Sequence, residues 1–212
     1  MTELIPSTLS GDSDIDLPEF HAPPADPLPL ATSWLEAADA YPVREAHVAV
    51  LATVGRGGHP TTRSVFVKGI TARGVVFASA LSTDKAADIA DNPHVSLTFH
   101  WRETMQQLSV RGEAEQMSDD ESDALFLERT RGAQVASIVS VGGSPLVDED
   151  DLIARAAELE QAATSLTRPP TWVGFLIVPT RIEFWHGRVN RMHRRLVYTR
   201  DAGRWSAQRL QP

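Results

Sequence analysis

Basic and aromatic side chains are concentrated near the C-terminus, where the chain reads Phe184-Trp185-His186-Gly187 and then Arg191-Met192-His193-Arg194-Arg195. Residues 179–212 contain eight arginines and two acidic residues, a charge of +6 (8 − 2), whereas the whole chain carries -8 and the remainder therefore -14. Such a cationic segment could bind a phosphate or a carboxylate. Strand arginines that pair with acidic surface elsewhere would give the same pattern, and charge alone favours that simpler interpretation.

Composition excludes several kinds of site. The 212 residues include no cysteine, which rules out disulfides, thiolate zinc sites and cysteine nucleophiles. The seven histidines lack the spacing of a metal site, so no metal is expected. A pI near 5.3 argues against general nucleic-acid binding. No stretch approaches the ~20 apolar residues of a membrane span, and no secretory signal is visible, so we expect a cytoplasmic protein.

The order of apolar and turn residues predicts a mainly β fold with flanking helices. Residues 1–27 are acidic and rich in proline, and they are predicted to form a disordered tail before a single domain at 28–212. Helices are predicted at about 27–41, 82–92, 119–129, 133–139 and 148–161. Strands are predicted at 47–54, 61–70, 75–79, 95–101, 106–116, 172–178, 181–186, 195–200 and 204–210. Many short antiparallel strands with inserted helices favour a barrel or a strongly coiled sheet.

The remaining polar residues suit a planar cofactor that carries a phosphate. The chain has no glycine-rich dinucleotide fingerprint, no P-loop and no nucleophile elbow. Cations and a helix N-terminus can hold a phosphate, an amide can satisfy ring heteroatoms, and an aromatic ring can pack against the cofactor. The candidates are Arg63, Lys68, Ser79, Lys85, Gln107, Arg129, Trp185, Arg191, His193 and Arg195.

Several motifs, in order, resemble the pyridoxamine 5'-phosphate oxidase family. Residues 63–68, Arg-Ser-Val-Phe-Val-Lys, resemble the Arg-x-Val-x-x-Lys strand of that family, and residues 77–86 resemble its next strand and helix start. Asn92-Pro-x-Val-Ser-Leu97, Gln107-Leu-x-Val-x-Gly112 and the closing segment 183–195 follow in the same order. The resemblance covers roughly residues 22–212.

This resemblance implies an FMN-binding split β-barrel that forms a homodimer with FMN at the subunit interface. It implies FMN contacts from Arg63, Ser64, Val65, Lys68, Ala78, Ser79, Lys85, Gln107, Trp185 and Arg195. It also implies that the substrate lies over the flavin, beside Lys68, Arg129, Arg191 and His193. Of these four, Arg191 and His193 are the candidate catalytic residues.

Within the family, residues 101–107 and 43–45 look closer to the phenazine-biosynthesis FMN oxidases than to the vitamin B6 enzymes. Leu125 and Ala133 occupy positions where the B6 enzymes place a tyrosine and a serine that hold the substrate phosphate. Asp84 replaces an arginine at the FMN-phosphate helix, and we expect this acid to point away from the phosphate.

The expected activity is therefore that of an FMN-dependent oxidase. Its substrate would be a reduced aromatic heterocycle, a dihydrophenazine carboxylic acid, with dioxygen as the acceptor that becomes hydrogen peroxide. One alternative is a pyridoxamine or pyridoxine 5'-phosphate oxidase of vitamin B6 metabolism. A second alternative is a split-barrel protein that binds flavin without catalysis.

Overall fold

The computed structural model describes residues 11–162 and 165–212, which form eight strands and five α-helices. The helices are α1 (Pro27–Ala40), α2 (Asp84–Asp91), α3 (Asp119–Leu127), α4 (Arg131–Val139) and α5 (Glu149–Gln161). The strands are β1 (Val48–Val54), β2 (Pro60–Ile70), β3 (Val75–Ala80), β4 (His94–Trp101), β5 (Gln106–Gln116), β6 (Trp172–His186), β7 (Arg194–Asp201) and β8 (Arg204–Leu210). The expectation of a mainly β fold with flanking helices is confirmed.

The strands form one antiparallel sheet in the order β3-β2-β1-β4-β5-β6-β7-β8. An additional pairing of β3 with β6 closes the first six of these strands into a barrel, and β7 and β8 extend the sheet beyond it. Closure removes most exposed sheet edges, which would otherwise pair with other chains.

Strand β6 is a single 15-residue strand, although the sequence predicted two strands separated near Pro179. Its first half pairs with β3 and its second half with β7, while β5 pairs along both halves. Proline cannot donate a ladder hydrogen bond, and the register shifts at Arg111/Gly112, opposite Pro179. This irregularity lets the strand continue past the proline.

The barrel interior is filled with aromatic and branched side chains. Phe77 and Phe175 stack with ring centroids 5.2 Å apart, and Trp34 of α1 meets Phe184 edge-on at 4.9 Å. Buried side chains of this size each stabilise the fold by about 1.5–3 kcal/mol. Helix α1 therefore belongs to the core.

The expected disordered tail does not extend over residues 11–27, whereas residues 1–10 lie outside the described residues. Phe20 is fully buried, and Leu17 joins the same core. The Trp34 indole donates to Glu19 Oε1 at 2.5 Å, and the Tyr198 hydroxyl donates to the Pro24 carbonyl at 2.9 Å. The prolines and acids suggested disorder, but the apolar residues between them supply enough burial to order the segment.

Helices α3 and α4 begin at side-chain caps that the sequence carries. Ser118 forms a capping box with Glu121 at α3, and the Thr130 hydroxyl accepts from the Ala133 backbone N–H at α4. The short break between α3 and α4 contains Arg129. None of the helices in residues 11–162 and 165–212 is long and apolar enough to cross a membrane.

Candidate functional site

A cleft of about 590 Å³ opens between β2, β3, the start of α2 and the α3–α4 junction. Segments that are far apart in the sequence meet in it. Six predicted site residues line it, of which Lys68 was predicted for both cofactor and substrate and Arg129 for substrate alone: Ser64, Val65, Lys68, Ala78, Lys85 and Arg129. Phe66, Glu128, Thr130 and Ala133 complete the lining. The volume is in the range of ordinary ligand sites.

One end of the cleft has the chemistry of an anion site. Lys85 Nζ donates to Ser79 Oγ at 3.1 Å, and Ser79 Oγ lies 3.1 Å from the hydroxyl of Thr83, the residue before α2. Burial, followed by the nearby positive charge of Arg63, lowers the Lys85 pKa. Two neighbouring cations at a helix N-terminus favour a bound phosphate. Asp84 is exposed and is not part of the cleft lining.

Arg63 is held against the sheet beside this end and does not itself line the cleft. Its guanidinium donates to the hydroxyls of Thr53 (2.7 Å) and Thr61 (2.6 Å). The Asp88 carboxylate accepts from the same two hydroxyls, at 2.6 and 3.1 Å, and lies 3.9 Å from Arg63. These three residues, Thr53, Thr61 and Asp88, were not predicted; they fix the guanidinium and keep its charge near Lys85.

The other end of the cleft contains Lys68 and Arg129. Burial lowers the Lys68 pKa, and Arg129 lowers it further, whereas Glu128 raises it. Arg129 packs over the Trp172 ring at 4.9 Å and donates from Nη2 to the Ala133 carbonyl at 2.8 Å. Its buried Nε has no hydrogen-bond partner within the described residues. A buried donor without an acceptor is costly, so this group suits an anionic ligand.

The two substitutions noted in the sequence lie in different surroundings. Ala133 lines the cleft, where a serine would present a hydroxyl. Leu125 is not among the lining residues; a Cβ added to Gly174 of β6 would lie 2.7 Å from Leu125 Cδ1, so this side chain packs towards β6. Only the Ala133 position therefore bears directly on the polarity of the cleft in this chain.

Gln107, Trp185 and Arg195 form a second group, on the outer face of the sheet. They lie side by side on β5, β6 and β7, because Gln107 pairs with Trp185 and Trp185 with Arg195. All three are partly exposed, whereas Leu108, Phe184 and Leu196, each adjacent to one of them in its strand, are fully buried. None of the three lines the cleft, so one chain does not bring all predicted cofactor residues together.

The loop between β6 and β7 carries the predicted catalytic pair. Arg191 is exposed and has a backbone φ of 66°. The His193 ring lies 4.8 Å from the Trp185 ring, and its Nδ1 accepts from the Arg188 backbone N–H at 3.1 Å. Burial and then Arg191 lower the His193 pKa. The neutral ring therefore carries its proton on Nε2.

Comparison with known proteins decides the family. The family model described as pyridoxamine 5'-phosphate oxidase matches residues 35–186. The chain belongs to the pyridoxamine 5'-phosphate oxidase family. Residues 172–212 also match the model of the pyridoxine 5'-phosphate oxidase C-terminal dimerisation region. The predicted family is thereby confirmed, together with its split-barrel fold.

The relatives of this chain include proteins named for the vitamin B6 reaction and proteins named for phenazine biosynthesis. A pyridoxine/pyridoxamine 5'-phosphate oxidase of Myxococcus xanthus is 39% identical over 191 residues, 89% of this chain and 93% of the relative. A dihydrophenazinedicarboxylate synthase of Burkholderia lata is 36% identical over 205 residues, 97% of each chain. The crystal structure of PhzG from Burkholderia lata with tetrahydrophenazine-1-carboxylic acid has a TM-score of 0.92 at 36% identity, covering 95% of this chain and 100% of that one. Relatives named as an oxidase and as a synthase indicate that this chain is an enzyme of the family, and the resemblance to the phenazine branch is confirmed.

Sequence reasoning missed residues that support the predicted contacts. Thr53 and Asp88 brace Arg63, and the Glu183 carboxylate accepts from Arg195 Nε at 2.7 Å. Glu183 is the first residue of the closing segment 183–195, and no role was predicted for it. Strand alternation places it on the same face as Trp185, and this signal could have identified it.

Proposed function

We propose that the chain is an FMN-dependent oxidase that dehydrogenates a reduced aromatic heterocycle, a dihydrophenazine carboxylic acid, with dioxygen as the electron acceptor. The observation that carries this proposal is the cleft in which Lys68, Lys85 and Arg129 converge. Cations at both ends suit a phosphate-bearing cofactor together with an anionic substrate. The 36% identity to the dihydrophenazinedicarboxylate synthase, over 97% of each chain, supports the phenazine branch.

The residues of the cleft fit FMN. Lys85 and Ser79, with Arg63 behind them, would hold its phosphate at the start of α2, and Ser64, Val65, Lys68 and Ala78 would flank it along β2 and β3. Burial, and then the positive charge of Arg63, lower the pKa of Lys85, and a bound dianionic phosphate would stabilise the charged ammonium against both effects. Bound FMN would supply hydride acceptance and reoxidation by dioxygen to hydrogen peroxide.

A second copy of the chain would complete each cofactor site. Gln107, Trp185 and Arg195 lie on the outer sheet face, apart from the cleft of their own chain. In a twofold dimer, this face of one subunit can approach the cleft of the other, which gives two equivalent sites. The match of residues 172–212 to a dimerisation region supports this arrangement.

The chain itself would bind and orient the substrate. Lys68 and Arg129 lie at the end of the cleft away from the phosphate site, and the unpartnered Arg129 Nε can donate to a carboxylate. Arg191, on the loop between β6 and β7, would bind a second acidic group of the substrate. His193, neutral with its proton on Nε2, would donate a hydrogen bond to the substrate. Orientation against the cofactor is the main contribution expected of the protein.

The vitamin B6 reaction is the second candidate. The 39% identity to the Myxococcus enzyme supports it, and Lys68 and Arg129 match two of the residues that hold the substrate phosphate in those enzymes. Against it, Ala133 lines the cleft without the hydroxyl that a serine would offer. Loss of a hydrogen bond to a charged group costs about 1.5–3 kcal/mol.

A substrate panel with peroxide detection tests the proposal. We expect peroxide with a chemically reduced phenazine carboxylate and much slower production with pyridoxine or pyridoxamine 5'-phosphate. Comparable turnover of the phosphate esters would favour the B6 reaction. Anaerobic mixing separates both enzymes from a flavin carrier, because the bound flavin of a carrier would not be bleached by any donor.

A further inference from the structure

Glu183 holds two arginines on the outer sheet face. Its Oε1 accepts from Arg195 Nε at 2.7 Å, and its Oε2 accepts from Arg181 Nη2 at 2.9 Å. The Glu183 side chain is only 12% exposed, yet its pKa is lowered, because the two arginines outweigh the effect of burial. The carboxylate is therefore charged and has little freedom to move.

The contact with Glu183 leaves part of the Arg195 guanidinium available. Nε is used by Glu183, and Nη1 lies 3.5 Å from the Gln211 carbonyl, a marginal distance. Nη2 has no hydrogen bond within the described residues. Arg195 also lies beside Trp185 in the strand register. Glu183 thus holds Nε of the guanidinium and leaves Nη2 without a hydrogen bond among the described residues.

We propose that Glu183 is a positioning residue for the cofactor: it holds Arg195 in the orientation in which Nη2 meets FMN bound to the partner subunit. This inference rests on the proposed function. An unrestrained arginine loses rotamer freedom when it binds, and a side chain that is already fixed loses less. Arg195 is partly exposed, so few other contacts restrict it.

Charge alone would predict the opposite effect of removing Glu183. A carboxylate beside Arg195 repels an anionic cofactor, so its neutralisation should tighten binding if only the net charge mattered. The negative charge of Glu183 is already offset by Arg181 and Arg195, which both donate to it, so its net repulsion of an anion is small. We therefore expect the positioning of Arg195 to dominate.

The test is a double-mutant cycle on FMN affinity. The apoprotein, prepared by removal of bound flavin, is titrated with FMN by fluorescence quenching for Glu183→Gln, Arg195→Gln and the double variant. We expect Glu183→Gln to weaken binding by on the order of tenfold, the scale of one oriented charge-assisted bond. We expect the double variant to be no weaker than Arg195→Gln alone, because Glu183 acts through Arg195.

Arg181→Gln is the matched control. It removes the other partner of the same carboxylate and leaves the Glu183–Arg195 contact in place, so its effect should be clearly smaller than that of Glu183→Gln. Melting temperatures of the apoproteins separate an effect on the cofactor from a general loss of stability. If Glu183→Gln does not fold, Glu183→Ser repeats the cycle with a side chain that leaves room for both arginines.

Three results would overturn the inference. Unchanged or tighter FMN binding by Glu183→Gln, while Arg195→Gln binds weakly, would mean that Glu183 does not position Arg195. If the losses of FMN binding free energy in the two single variants simply add in the double variant, Glu183 does not act through Arg195. A wild-type protein that does not bind FMN would overturn the proposed function together with this inference, and this result is distinguishable from the first two.

Discussion

At the scale of single residues, the best-supported feature is the cationic end of the cleft. Lys85 and Ser79 come from different elements and meet at 3.1 Å, and Arg63 is close enough to lower the Lys85 pKa. Like charges are brought together at a cost, which a bound anion would offset. This residue cluster should therefore control affinity for FMN.

Lys85→Ala should weaken FMN binding about tenfold or more, since hydrogen bonds to charged groups contribute roughly 1.5–3 kcal/mol. Equilibrium titration of the apoprotein with FMN measures the change. Arg73→Ala is the matched control, because Arg73 is an exposed cation whose partners are Glu115 and Glu121. A Lys85→Ala protein that keeps its yellow colour through extended dialysis would contradict the assignment.

Arg191→Ala should leave FMN affinity near that of the wild type and lower turnover of the reduced heterocycle. Arg191 is exposed on the β6–β7 loop and is assigned to the substrate. Steady-state peroxide production, with bound flavin quantified in the same samples, separates the two effects. Arg204→Ala removes an exposed arginine of β8 and serves as the control. Normal turnover by Arg191→Ala would refute its role.

For single residues, the sequence predicted the members of the cleft that lie close together in the chain. It did not predict the residues that hold them in place. The segments 63–68 and 77–86 supply most of the residues that line the cleft. They lie on the neighbouring antiparallel strands β2 and β3 and at the start of α2, which must therefore be close together. The contacts of Arg63 with Thr53 and of Leu125 with the region of Gly174 depend on tertiary packing, which alternation alone does not determine. The site assignments themselves stay predictions.

At the scale of elements, the register irregularity between β5 and β6 shapes the barrel. Gly112 lies opposite Pro179, where the ladder shifts. A Cβ added to Gly112 would overlap the Val178 carbonyl oxygen, which belongs to the backbone and cannot move aside cheaply. A glycine at this position allows the two strands to approach closely.

Gly112→Ala should destabilise the protein by about 1–3 kcal/mol, the usual cost of forcing extra atoms into a packed site. Urea unfolding followed by tryptophan fluorescence measures the change. Gly69→Ala is the matched control, because Gly69 also lies in a strand but a Cβ there meets nothing within 4 Å. Equal losses in the free energy of unfolding for Gly112→Ala and Gly69→Ala would show that the overlap with Val178 contributes nothing.

The elements were mostly predictable because apolar alternation is strong in β1 to β5. The exceptions have physical causes. Pro179 suggested a strand end, but pairing of β6 with different partners on its two halves, and with β5 throughout, keeps the strand continuous. Closure of the barrel by β3 and β6 joins residues about a hundred positions apart, and no local pattern encodes that pairing.

At the scale of the whole molecule, the N-terminal segment and the β6–β7 hairpin meet over a buried histidine. His186 is 1% exposed, and neither ring nitrogen has a hydrogen bond of ordinary geometry within the described residues. Burial, then Arg194 and Arg188, lower its pKa below 6.5, whereas Asp12 acts in the opposite direction. The folded protein therefore holds this histidine neutral.

The pKa of His186 makes stability depend on pH. The unfolded chain takes up a proton near pH 6.5 and the folded chain only at lower pH, so stability should fall as the pH drops below about 6.5. Urea unfolding between about pH 5 and 8 should show this slope, and His186→Gln should reduce it, while His193, whose pKa is also lowered, contributes part of the slope that remains. An equal slope in His186→Gln would contradict the assignment.

The ordered stretch before α1 has a practical consequence for anyone who shortens the gene. A reading frame that begins at residue 28, a natural choice from the abundance of acids and prolines, would delete the ring of Phe20 from the interior. It would also strip the indole of Trp34 and the phenol of Tyr198 of their acceptors. Insoluble product from such a shortened gene would be a failure of folding, and it would carry no information about catalysis.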